Sequence, residues 1–136
     1  MDMKRLAFMV IVVLVIGCSA TQSKAVVVNK AAGSKNDTVR IANDELEYEI
    51  IIIDSGFNSW LATAKPRNYY SLTFLETKNY FFVSEWNQRA LQPQRYNPEL
   101  YEMRIDYQSN IHYGYEVNYL LYNYFVYFQK RYNQKF

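Results

Sequence analysis

All 14 tyrosines, both tryptophans and seven of the eight phenylalanines of this 136-residue chain lie after residue 44. A segment so dense in rings must fold to bury them. Each large aromatic removes roughly 150–250 Å² from water, and each hydroxyl or indole N–H taken inside needs a hydrogen-bond partner. Residues 45–136 are therefore expected to form a single globular domain, with a core limited by size but enriched by ring volume. Asn-Tyr pairs recur at Asn68, Asn79, Asn118 and Asn123 without a constant period, so no internal repeat organises the segment.

The first 17 residues are of another kind. Lys4 and Arg5 precede an apolar stretch from Leu6 to Ile16, and the run Leu14-Val15-Ile16-Gly17-Cys18 resembles a bacterial lipobox. These are the charged, apolar and cleavage parts of a secretory signal, and the apolar part is too short to span a bilayer. The expectation is a lipoprotein signal peptide over 1–17, cleaved before Cys18, with acyl chains on the Cys18 sulfur and amino group. Two or more chains anchor stably, because each buried CH₂ contributes about 0.8 kcal/mol. Cys18 is the only cysteine. Its acylation would leave no thiol for a disulfide, a metal or a nucleophile.

Cleavage would also remove Asp2, Lys4 and Arg5 and lower the formal charge from +2 to +1. A nearly neutral chain without clustered Lys or Arg lacks the footprint of a nucleic-acid binder and of a polybasic lipid binder. No acidic residue follows the lipobox in Ser19-Ala20-Thr21-Gln22-Ser23. This points to the outer membrane and its periplasmic face.

From Cys18 to Asp44 the composition is small and polar and reads as a flexible tether, about 28 Å in mean span. It is interrupted by Ala25-Val26-Val27-Val28 and Val39-Arg40-Ile41, either of which could add an edge strand. Glu45 to Ile53 alternates and then becomes apolar on both faces, the pattern of a buried strand. A short helix follows over 57–63, and a long one over 73–90, where Thr73 and Glu76 fit a capping box. Its stripe is Leu72, Leu75, Phe82, Val83, Trp86 and Ala90, with Asn79 inside it and Phe74 and Phe81 opposite. Tyr101 to Tyr107 alternates over seven residues and is expected to be a strand. A final helix over 115–132 packs through Val117, Leu121, Tyr124 and Phe128, with Tyr119, Tyr122 and Val126 on its other side. The fold class is α+β: a small two-layer domain of two or three strands, two long helices and one short helix, in β-α-α-β-α order. The second apolar faces of the long helices are expected to meet each other, or else to form a partner or homodimer surface.

No phosphate loop, dinucleotide fingerprint, nucleophile elbow or zinc-protease pattern occurs, and no cofactor is called for. A single histidine, His112, and carboxylates alone are a poor metal set, and His112 reads as a loop residue. Asp54 ends the most buried strand, where α/β proteins place functional groups, although an Asp before a helical turn is also an ordinary cap. Glu85 beside Trp86 could join Asp54 in an acid-and-platform glycan site. Cleavage would further require two carboxylates about 5–9 Å apart. Trp60 and Trp86 read first as core anchors. The polar–aromatic connectors carrying Arg67, Tyr69 and Tyr70, and Arg95 and Tyr96, are the natural recognition loops. Tyr119 and Tyr122 are candidate contacts on the last helix.

The wording of several segments resembles an uncharacterised family of short lipoproteins from Bacteroidota, mainly flavobacterial. The segments are Tyr48-Glu49-Ile50-Ile51-Ile52-Ile53-Asp54, Gly56-Phe57-Asn58-Ser59-Trp60-Leu61, Asn68-Tyr69-Tyr70, Tyr80-Phe81-Phe82-Val83-Ser84-Glu85-Trp86-Asn87, Tyr96-Asn97-Pro98 and Tyr113-Gly114-Tyr115-Glu116-Val117-Asn118-Tyr119. The resemblance implies an envelope location and carries no assigned activity, ligand or catalytic residue. The combined expectation is a membrane-anchored envelope lipoprotein serving as a noncatalytic protein-interaction or structural module. The alternative is a small periplasmic glycan-binding or glycan-cleaving lipoprotein.

Overall fold

The computed structural model describes residues 25–29 and 38–136. The expected signal peptide, Cys18 and most of the expected tether lie outside the described residues. The elements are β1 (Ala25–Asn29), β2 (Thr38–Asn43), a 3₁₀ turn (Asp44–Leu46), β3 (Tyr48–Ile53), α1 (Phe57–Leu61), α2 (Leu72–Ala90) and α3 (Tyr115–Arg131). The class is α+β, as expected, but the order is three strands followed by three helices, not β-α-α-β-α.

Both apolar patches of the expected tether are strands, so the sheet reaches well before Glu45. Its order is β1-β3-β2. β1 runs parallel to β3, Ala25 opposite Glu49, and β2 runs antiparallel to it, Thr38 opposite Ile53 and Asn43 opposite Tyr48. The central place of β3 accounts for its apolar character on both faces: Ile50 and Ile52 are fully buried, Ile51 and Ile53 half-buried. Val39 and Ile41 of β2 join the same buried face. The β2–β3 connection closes on Asn43, whose side chain accepts from the N–H groups of Glu45 and Leu46, and on Glu47 in the left-handed region at φ 51°.

α3 is the hub, packing on β2, α1 and α2. Its buried residues include Val117, Leu121, Tyr124, Phe125 and Phe128, more than one stripe. α2 buries Leu75, Asn79, Val83, Trp86 and Arg89. Trp86 fills the space between the helices, edge-on to Phe128 at 4.9 Å and to Tyr101 at 5.0 Å, the geometry ring quadrupoles favour. The cap of α2 is Ser71, whose Oγ accepts from the Phe74 N–H, and not Thr73.

Asn79 is fully buried, and its amide donates to the Asn118 backbone and side-chain oxygens at 2.9 and 3.0 Å. The second apolar faces meet in part. Phe74 and Tyr122 lie 5.7 Å apart with Tyr70 against both, whereas Phe81 stays 61 % exposed beside Tyr80.

Residues 101–107 are not a strand. The alternation is partly real, since Tyr101 and Ile105 point inward and Tyr107 is half-buried, but side chains serve the backbone. Trp86 Nε1 donates to the Met103 carbonyl at 2.8 Å, and Tyr48 Oη to the Asp106 carbonyl at 2.7 Å. Asn87 both donates to and accepts from Ile105. With those groups satisfied, no partner strand is needed.

Candidate functional site

Asp54 follows β3 directly and is 4 % exposed. Its Oδ1 accepts from Tyr127 Oη at 2.7 Å and from the Gly56 N–H at 3.2 Å, and its Oδ2 accepts from Tyr132 Oη at 2.9 Å. Burial, reinforced by these bonds, raises the Tyr127 phenol and pushes Tyr132 up to about 12. Both therefore stay protonated donors at neutral pH. This arrangement ties the end of β3 to the end of α3, and its carboxylate oxygens are committed to that task.

Glu85 is held elsewhere. It pairs with Arg89 at 2.7 Å, and the Arg89 guanidinium also donates to Tyr101 Oη and the Lys135 carbonyl and lies 4.8 Å from the Phe136 ring centre. This cluster fastens the C-terminus to α2. Among the described residues no hydrogen bond, ion pair or shared cavity joins Asp54 to Glu85. Trp86 is fully buried, with its indole N–H spent on Met103, so it offers no platform to a ligand. An acid-and-platform site made of these three is not assembled.

The remaining candidates divide between two regions. His112 is exposed with Nδ1 3.3 Å from Glu76 Oε1. Arg95 lies over Tyr96 at 5.4 Å, and Tyr96 is half-buried against Tyr101. On the other side, the α1–α2 connector folds onto the start of α3. Arg67 forks onto Glu116 at 2.5 and 2.8 Å and covers the Tyr119 ring at 4.7 Å. Tyr115 Oη accepts from the Asn68 N–H, where φ is +69°, and donates to the Tyr70 carbonyl. Tyr119 is buried, and its hydroxyl donates to the Lys65 carbonyl at 2.7 Å. Tyr69 is 57 % exposed beneath Lys65 Nζ, 4.9 Å from the ring centre.

That docking forms a groove of about 460 Å³ between the connector and α3. Trp60, Tyr70 and Tyr122 come together in its walls, with Lys65 and Lys130 at its edges and Asn123 and Val126 on α3. Of the twelve candidate residues these three share a cavity. The groove lining contains no Asp, Glu, His or Ser. Each of its rings stacks one face on a phenylalanine outside the lining: Tyr70 on Phe74 at 4.7 Å with 13° between planes, Trp60 on Phe57 at 6.2 Å with 19°, and Tyr122 on Phe82 at 6.1 Å with 23°. Lys130 Nζ lies 5.9 Å over Trp60. Burial, helped by neighbouring Tyr70, pushes Tyr122 up to about 12.

Lys65, Lys130 and Asn123 were not singled out as contacts. The signal that would have found Lys130 is its spacing. Tyr119, Tyr122, Val126 and Lys130 follow one another by three or four residues along one face of α3.

Among the described residues no group of three or more His, Cys, Asp or Glu is placed to hold a metal ion, and no helix is long and apolar enough to cross a membrane. The sequence model of a family of unknown function (DUF6146) matches residues 6–136. No curated protein and no solved structure matches the chain.

Proposed function

We propose that the chain, which belongs to the DUF6146 family, is a lipid-anchored module of the bacterial envelope that binds another protein and catalyses no reaction. The observation that carries this reading is the groove. Three aromatic walls and two lysines converge there without a carboxylate, histidine, serine or cysteine among them, a composition suited to recognition. The buried carboxylate, Asp54, is occupied by two tyrosine hydroxyls. The lipobox-like run ending at Cys18 supports attachment through acyl chains, on the periplasmic face of the outer membrane, in a Bacteroidota-type cell.

A glycan-binding role has less support, since Trp86 is inaccessible and the faces of Trp60, Tyr70 and Tyr122 are engaged by neighbouring groups.

Two measurements test the proposal. Mass spectrometry of the chain made in a diderm host should find Cys18 as the amino-terminal residue bearing acyl groups. An unmodified Cys18 on a chain that keeps its first 17 residues overturns the anchor. A photo-crosslinking residue at Val126 should give a discrete protein adduct in intact membranes, lost in Lys65→Glu. An adduct indifferent to that change would place recognition outside the groove.

A further inference from the structure

We infer that the groove between the α1–α2 connector and α3 takes an acidic peptide segment of the partner protein, with a carboxylate side chain next to an apolar one. This deepens the protein-binding reading and rests on it. The first argument is charge. Lys65 and Lys130 flank the groove, and among the described residues neither makes an ion pair. Their ammonium groups lie 4.9 Å from the Tyr69 ring centre and 5.9 Å from that of Trp60. The ion pairs among the described residues are made by Arg40, Arg67, Arg89 and His112, and no described lysine has a carboxylate partner. Two unpaired cations at one cavity without an acid in its lining leave a field that an anion completes.

The second argument is Asn123. It is 3 % exposed and lines the groove. Its Nδ2 donates to the Tyr119 carbonyl at 2.8 Å, which fixes the amide at the groove wall. An amide oxygen held at that wall can accept from a peptide N–H entering the groove. The third argument is the orientation of the rings. With their faces stacked on Phe57, Phe74 and Phe82, the walls are poor platforms for the flat side of a sugar. Ring edges carry the positive end of the quadrupole, and they suit a carboxylate and an irregular aliphatic side chain better. A volume of about 460 Å³ has room for a few side chains, not for a whole helix.

The test uses the full chain in nonionic detergent and a dye-labelled peptide of alternating glutamate and leucine, followed by fluorescence anisotropy. Binding is expected to weaken about tenfold in each of Lys65→Glu and Lys130→Glu, through loss of one attractive charge and gain of a repulsive one. Added salt should weaken it as well. Lys135→Glu, a charge reversal outside the groove, should leave it unchanged. Four results would overturn the inference: no binding at millimolar peptide, equal binding of a lysine–leucine peptide, indifference to both groove reversals, or stronger competition by an oligogalacturonate. A fifth is concentration-dependent self-association abolished by Lys65→Glu in the absence of peptide binding. The occupant would then be a second copy, presenting its exposed acidic turn around Leu46. The acylation of Cys18 and the adduct at Val126 are read separately, so failure here leaves the wider proposal standing on its own measurements.

Discussion

Asn87 holds the backbone of Ile105 by both of its polar groups. Its Nδ2 donates to the Ile105 carbonyl at 2.9 Å, and its Oδ1 accepts from the Ile105 N–H at 2.8 Å. One side chain on α2 thus does for the 101–107 segment what a neighbouring strand would do. Replacing it with alanine removes two hydrogen bonds at a part-buried site and should cost about 2–3 kcal/mol. Urea denaturation of Asn87→Ala measures this. Limited proteolysis should then cut first within 101–107, since only the bonds from Trp86 to Met103 and from Tyr48 to Asp106 would still hold the backbone around residue 105. Asn87→Asp keeps the acceptor and loses the donor, and should fall between alanine and the native chain.

The two tryptophans should respond to solvent quenchers in opposite ways. Trp86 is fully buried, while Trp60 is half-buried at the groove with Lys130 above its ring. In Trp60→Phe the remaining emission should be blue-shifted and nearly unquenched by iodide. In Trp86→Phe the remaining Trp60 should be quenched, and iodide should outperform caesium because the neighbouring lysine concentrates anions. Equal quenching by the two ions would show that the groove lacks a positive field.

How much of this was legible in the sequence follows from what each pattern encodes. The apolar run at Ile50 to Ile53 placed a strand correctly: β3 lies between β1 and β2, with Ile50 and Ile52 buried and Ile51 and Ile53 half-buried. The helical stripe through Leu75, Val83 and Trp86 located α2, and Tyr122 and Val126 of the other α3 face border the groove. The alternation from Tyr101 to Tyr107 misled for a physical reason. Alternating burial reports which way side chains point, not what the backbone bonds to, and here Asn87, Trp86 and Tyr48 replace a strand. β2 was legible as an edge strand inside a polar stretch, since such a strand needs only two inward residues, Val39 and Ile41. The groove was half-legible. Its aromatic members were nominated one by one, but the pairing of Lys65 with Lys130 depends on how the connector docks on Tyr115 and Tyr119, a tertiary fact.

High pH should unfold the protein through its tyrosines. Burial pushes Tyr107, Tyr122 and Tyr132 up to about 12 each, against about 10 in an unfolded chain. Between those values the unfolded state has released protons that the folded state keeps. Stability is therefore intact below pH 10 and falls as pH rises toward 12. Urea midpoints should be flat from neutral pH to about 9 and drop steeply above 10, in step with a late rise in tyrosinate absorbance. In Tyr132→Phe the drop should be shallower, because one of the three raised groups is gone.

Gly56 and Tyr127 form the sharpest steric test of the Asp54 junction. At φ −103° and ψ −17° the Gly56 backbone is open to any residue, yet a Cβ built there would lie 2.3 Å from Tyr127 Oη and 3.2 Å from Cζ. The phenol cannot retreat without breaking its 2.7 Å bond to Asp54. Gly56→Ala should therefore destabilise the native chain by about 1–3 kcal/mol. Tyr127→Phe alone removes one of the donors to Asp54 and should cost about 1–2 kcal/mol. In that background the hydroxyl is absent, and Gly56→Ala should become nearly neutral, or even stabilising by a few tenths, because alanine reduces the entropy of the unfolded chain. The four urea midpoints make a double-mutant cycle. A coupling of about 1 kcal/mol or more is expected, whereas additivity within about 0.5 kcal/mol would mean that the two residues do not press on each other.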